Sequence, residues 1–235
     1  MALADTLATD IESTLSAKWE ERNGTKVPDA ESVGLAANQG VKLDTTVLYA
    51  DLGGSTKLVR KYSQAFCAKV YKAFLAASCR IIRHKGGTIT SFDGDRVMAV
   101  FVGDRKNTEA VRSALAINHM VSKQLTPQLR KRFTDLPSDF EIVHGVGVDT
   151  GELFAVRTGI RANNDLAWIG SAANYAAKLS EIREPSYRSY ITAKVFDTML
   201  ESVKTSQSGQ NMWESRSLAK LDDLPLYRSK WLWSL

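Results

Sequence analysis

Leu3, Leu7, Ile11 and Leu15 recur every four residues and, carried on to Trp19, predict an amphipathic helix that packs on its own domain or on a partner. Asn23 to Asp44, with Gly, Pro and Asn, reads as a loop leading into an apolar strand at Val47 to Ala50. After Thr56, Leu58, Tyr62, Phe66, Val70, Phe74, Ala77 and Ile81 draw one apolar helical face, with Ser63 a candidate cap and Gly86-Gly87 a stop. Thr88 to Phe92 and Arg96 to Phe101 are two β-rich runs joined through Asp93-Gly94-Asp95, which is hairpin chemistry. A second helix is expected over Asn107 to Leu125 through Ala110, Ala114, Ile117 and Val121, then a charged loop from Thr126 to Asp139 carrying Arg130, Lys131 and Arg132.

From Glu141 to Asp149, Ile142, His144, Val146 and Val148 alternate with Val143, Gly145 and Gly147, as in a central strand that another backbone approaches closely. Gly151 to Arg157 reads as its hairpin partner, and His144 as a sheet residue. A helix around Ala173 to Glu181, a short strand at Tyr190 to Thr192 and a helix from Ala193 to Leu200 follow. The last run, Leu224 to Leu235, with Tyr227, Trp231 and Trp233, closes the core as a strand or supplies an apolar interface. Strand, helix, hairpin, helix, strand is the split β-α-β-β-α-β order of ferredoxin-like cores, an α+β fold that sets the first strand beside the hairpin. The expected organisation is an N-terminal helix and lead-in over 1–44, a catalytic core over 45–192 and a helix/strand extension of the same domain over 193–235.

Composition narrows the class. A content of 44% hydrophobic and 24% charged residues is that of a globular domain, and the net charge of +5 is spread along the chain instead of forming a basic block. A nucleic-acid partner is therefore not expected, and a small phosphorylated substrate accounts for the charge equally well. No apolar run approaches the roughly 20 residues of a membrane span, and the acidic N-terminus lacks the pattern of a signal peptide, so a cytoplasmic protein without a membrane partner is expected. Cys67 and Cys79 are twelve positions apart on one expected helix, about 18 Å, too far to bridge, and both read as buried packing residues.

Candidate chemistry gathers where the first strand would meet the hairpin. Asp51 ends the strand and Asp95 sits on the hairpin tip, so the topology brings two carboxylates to one sheet edge. Clustered carboxylates repel unless a hard, oxygen-preferring divalent cation lies between them. Gly53, Gly54, Ser55 and Thr56 form a bend at the start of a helix, where backbone N–H groups suit phosphate. Metal with phosphate points to nucleotide chemistry, although Asp-Gly also serves plain turns and an Asp after a strand often only caps a helix.

Three motifs in order, YADLGGST (Tyr49 to Thr56), Gly86-Gly87 followed by FDGDRVMAVF (Phe92 to Phe101) and IGSAANYAAKL (Ile169 to Leu179), with GVGVDTGEL (Gly145 to Leu153) between the last two, resemble the class III nucleotidyl cyclases. The resemblance implies a head-to-tail homodimer with composite active sites. In it Asp51, Asp95 and the Leu52 carbonyl hold two divalent ions, Mn2+ or Mg2+, and Asn174 of the opposite subunit orients the ribose. The family's transition-state Arg falls on Lys178, which keeps the charge but not the planar fork. The implied reaction is in-line attack of the ribose 3′-hydroxyl on the α-phosphorus with loss of pyrophosphate.

Purine-using members carry polar base readers at the positions of Ser91 and Ala167, and neither residue reproduces that pattern. Tyr49 and Arg96 place different polar groups nearby, and the short stand-alone chain resembles the pyrimidine cyclases of the bacterial antiphage system called Pycsar. That resemblance implies UTP ahead of CTP, and ahead of ATP or GTP, since an Arg donor suits a carbonyl at the pyrimidine edge. It also implies a cyclic nucleotide that acts on a separate effector. Tyr49 as packing and Arg96 as a partner of Asp93 are the structural alternatives. A diguanylate cyclase or polymerase-type palm is the competing enzyme, disfavoured by the absent GGDEF-type signature, and a degenerate nucleotide sensor is the competing non-enzyme.

Overall fold

The computed structural model describes residues 2–33, 38–160, 162–219 and 223–234. Its centre is β2 (Gln39–Gly53), a 15-residue strand paired antiparallel on one side with β4 (Arg96–Phe101) and on the other with β5 (Val143–Ile160). β3 (Thr88–Asp93) pairs outside β4, and β7 (Ser189–Thr192) runs parallel to β5. β9 (Leu224–Ser229) and β8 (Glu214–Leu218) extend that edge, giving the order β3-β4-β2-β5-β7-β9-β8. The first four strands in space follow the split β-α-β-β-α-β order anticipated from the sequence.

The long apolar face predicted after Thr56 divides in two. α2 (Ser55–Lys61) ends at Tyr62, and α3 (Gln64–His84) begins under a Ser63 hydroxyl that accepts from the Phe66 N–H. α3 buries Phe66, Val70, Phe74, Ile81 and Ile82 and stops at Gly86, whose φ of +82° suits glycine. α4 (Lys106–Met120) packs beside it, buried along most of its length, so these two helices and one sheet face enclose the main core. Cys67 lies in that core and Cys79 is half-buried.

On the opposite face, α6 (Ser171–Ser180) lies on β5 through Ala172, Ala173, Ala176 and Leu179. Its approach explains the alternating glycines. A Cβ on Gly147 would collide with the Ala176 carbonyl, and one on Gly145 with the Ser180 carbonyl. Only glycine leaves the room, as the strand pattern indicated.

Several boundaries depart from the sequence reading. α1 (Leu3–Ser16) buries none of its residues, and its repeat ends before Trp19, which sets its ring edgewise on Phe154 at 5.9 Å. Just ahead of the expected lead-in loop lies β1 (Glu20–Asn23), parallel to the start of β2, because backbone pairing rescues a segment with no apolar pattern, and the last part of that loop, Gln39 to Asp44, already belongs to β2. Gly34 to Ala37 of that lead-in lie outside the described residues. Thr126 to Arg132 is helical (α5), continuing α4 through one π-turn at Val121–Leu125, with Pro127 in the first turn where its missing N–H costs nothing. Gly151 to Arg157 continues β5 instead of turning back on it, since β2 offers an unbroken ladder, and the hairpin partner is β6 (Asn163–Ile169). α7 (Ala193–Thr198) is shorter than expected. The C-terminal strand stops at Ser229, after which Trp231 and Trp233 pack on the main core, and Leu235 lies outside the described residues. No described helix is long and apolar enough to cross a membrane.

Candidate active site

The antiparallel ladder of β2 with β4 sets Asp51 opposite Arg96 and runs on to the β3–β4 turn, where Gly94 takes a φ of +60° and Asp95 follows. Both carboxylates thus reach one end of the sheet, close enough for Asp95 to push the Asp51 pKa up. Burial is the larger cause of that rise, and the guanidiniums of Arg183 and Arg96 oppose it. Asp95 keeps one buried carboxylate oxygen, Oδ2, without a hydrogen-bond partner among the described residues. Among the described residues no group of three or more His, Cys, Asp or Glu is gathered as a ligand set.

Leu52 is buried between Asp51 and the bend. In the bend, Gly54 adopts a left-handed φ of +72°, Ser55 opens α2, and Gly54 and Thr56 are exposed. A cavity of about 230 Å³ opens beside it, lined by Gly53, Gly54, Lys57, Lys61 and Tyr62 among others. Two lysines and open backbone there, against the single carboxylate of Glu141, suit an anion.

Arg96 is already engaged. Its NH2 donates to Asp93 Oδ2 and its NH1 to Glu181 Oε1, both at 2.9 Å, and its guanidinium lies over the Tyr49 ring at 5.4 Å. The pairing with Asp93 weighed from the sequence is therefore present. Tyr49 is half-buried, donates its hydroxyl to Met98 Sδ at 3.0 Å, and is shifted up by that burial. Ser91 stands across from Met98 on β3, half-buried next to the same patch.

Not every predicted residue converges within one protomer. Ala167 pairs with Val156 on β5, which faces Gly40 on β2, the far end of that strand from Asp51, about 36 Å along an extended chain. Asn174 and Lys178 are one turn apart on α6 and exposed, and Lys178 lies 5.9 Å over the Tyr175 ring. Among the described residues neither makes a hydrogen bond or ion pair with Asp51 or Asp95. One chain holds the carboxylates and the bend at one end and displays the amide and amine outward from α6.

Sequence reasoning missed the C-terminal end of α6. Arg183 donates through NH2 to Asp51 Oδ2, and through NH1 to the Ser180 and Ile182 carbonyls. It runs over Gly53 and Gly145: a Cβ on either would stand 2.5 Å from its guanidinium nitrogens. Glu181, two residues earlier, takes Arg96. The signal was present in the glycines, which announced a close neighbour over β5 without saying which.

No family model matches the chain. The fold is that of class III cyclases: the crystal structure of the adenylyl cyclase CyaB from P. aeruginosa superposes with a TM-score of 0.65 at 20% identity, covering 81% of this chain and 95% of that one. A protein of Burkholderia cepacia named uridylate cyclase is 44% identical, and one of Xanthomonas perforans of the same name is 42% identical, each aligned over 100% of both chains. At that identity over the full length, the chain belongs to the uridylate cyclase family.

Proposed function

We propose that this protein is a uridylate cyclase, converting UTP to 3′,5′-cyclic UMP and pyrophosphate. The observation that carries the reading is the convergence of Asp51 and Asp95 on one sheet end, beside the Gly53–Thr56 bend, in a chain that matches proteins of that name from end to end.

The two carboxylates fit a divalent ion. Asp95 Oδ2 is buried without a partner among the described residues, and Asp51 suffers the repulsion of Asp95, so an oxygen-seeking cation relieves both. Asp51, Asp95 and the Leu52 carbonyl would hold two such ions, Mn2+ or Mg2+. Bound there, they supply a lowered pKa for the ribose 3′-hydroxyl and neutralise charge on the phosphates.

The chain's own residues do the rest. Gly53 to Thr56 present backbone N–H groups to the triphosphate, with Lys57 and Lys61 adding charge. Asn174 and Lys178, exposed on α6, serve the site of a second copy in a head-to-tail homodimer. The amide orients the ribose, and the ammonium offsets negative charge as pyrophosphate leaves. Tyr49, Ser91 and Arg96 face the base from one subunit and Ala167 from the other, a wall without the purine readers. UTP is favoured over CTP because Arg96 donates to a carbonyl.

We place the reaction in the cytoplasm, where nucleoside triphosphates are abundant, and its product as a messenger for a separate effector in antiphage defence. Incubation with each of the four ribonucleoside triphosphates and Mn2+, with products resolved by mass, tests the reading. Cyclic UMP from UTP is expected. A linear dinucleotide, or no product from any of the four, contradicts it.

A further inference from the structure

We propose that Arg183 contests Asp51 with the divalent ion and, once displaced, takes the triphosphate, so that metal and nucleotide load the site together. The inference rests on the metal reading of Asp51 given above. Three observations carry it. The Arg183 guanidinium sits on the Asp51 carboxylate that the ion needs. It lies in a trough floored by Gly53 and Gly145, where any side chain would expel it. Its Nε passes over Gly53, the first residue of the bend assigned to phosphate.

The charge count favours exchange over permanence. Among the described residues, Asp51, Asp95, Asp93 and Glu181 face Arg96 and Arg183, an excess of two negative charges that one divalent ion cancels. Arg183 NH1 stays anchored on the Ile182 carbonyl at 3.0 Å, so NH2 can change partner without the backbone moving. A phosphate oxygen replaces a carboxylate oxygen as acceptor with the same charge-assisted bond. Metal alone must break that bond and leave the guanidinium stranded. Metal with triphosphate does not.

Arg183 thus contacts the substrate directly, and its signature is in binding. Mn2+ is titrated by electron paramagnetic resonance into the full-length wild type, R183Q, R183K and D51N, with and without inorganic triphosphate, and circular dichroism checks the fold of each. R183Q is expected to bind Mn2+ alone about tenfold tighter than the wild type, the weight of one charge-assisted hydrogen bond. It is expected to bind triphosphate with Mn2+ several-fold weaker, and R183K, which keeps charge without the fork, to fall between. Equal Mn2+ affinity in the wild type, R183K and R183Q, with binding lost in D51N, overturns the role of Arg183 and leaves the metal site standing. Unchanged Mn2+ binding in D51N overturns both.

Discussion

Asp51 faces Arg96 across the β2–β4 ladder, yet the carboxylate takes Arg183 from beyond α6, while Arg96 takes Asp93 and Glu181. The end of α6 is thereby pinned to the strand end and the hairpin tip by two crossed ion pairs. Nearest neighbours in the sheet are not partners here, and the Arg96 guanidinium lies over the Tyr49 ring.

Replacing Arg96 separates its two roles. Its partners Asp93 and Glu181 are 79% and 62% exposed, so solvent screens both pairs and Arg96→Met costs less than about 1 kcal/mol of stability. If Arg96 also donates to the base, KM for UTP rises about tenfold while the unfolding free energy hardly moves. Steady-state kinetics beside urea denaturation reads both. An unchanged KM assigns Arg96 to structure alone.

Gly147→Ala is expected to be far more costly, although it adds one methyl group. The new Cβ would meet the Ala176 carbonyl and the Ser180 N–H, backbone that can yield only if α6 lifts off β5. Overpacking of this kind costs about 1–3 kcal/mol. It would also displace Asn174, Lys178 and Arg183 together, so activity falls further than stability. Thermal unfolding and turnover of the same preparation check this.

His144 sets an acid limit on stability. It is buried on β5 beside the Phe74 ring, both ring nitrogens lack partners among the described residues, and burial with Arg188 and Arg183 pushes its pKa down to about 3. The folded protein therefore keeps His144 neutral where the unfolded chain, with an ordinary value of 6.5, takes up a proton. Stability is lost as pH falls from 6.5 toward 3, and by pH 5 this one group removes about 2 kcal/mol. Asp149, pushed up mainly by burial, contributes with the opposite sign in both proteins and cancels in a comparison. Denaturant unfolding at pH 7 and pH 5 should show a steeper acid loss for the wild type than for His144→Leu. Equal slopes refute the assignment.

What was legible in the sequence was what periodicity and turn chemistry encode. The alternation around Val146 and Val148, the apolar face from Phe66 to Ile81 and the Asp93-Gly94-Asp95 turn each became the element they implied. Their order fixed the topology that carries Asp51 to Asp95. Segments set by long-range pairing were not legible: Glu20 to Asn23 becomes a strand only because β2 lies beside it, and Gly151 to Arg157 stays extended because β2 continues. Arg183 escaped for a related reason. Nothing near Ile182 and Glu184 in the chain marks it, and only the packing of α6 over Gly145 brings it to Asp51.

In the proposed dimer one copy supplies Asp51 and Asp95 while the other supplies Asn174 and Lys178 to the same reaction. Asp95→Ala and Asn174→Ala proteins, each folded and inactive alone on UTP with Mn2+, are mixed, allowed to exchange subunits and assayed for cyclic UMP. Half of the dimers then pair one variant with the other and carry one intact site of two, so about a quarter of wild-type activity should return. A mixture that exchanges subunits and stays as inactive as its components contradicts a shared site.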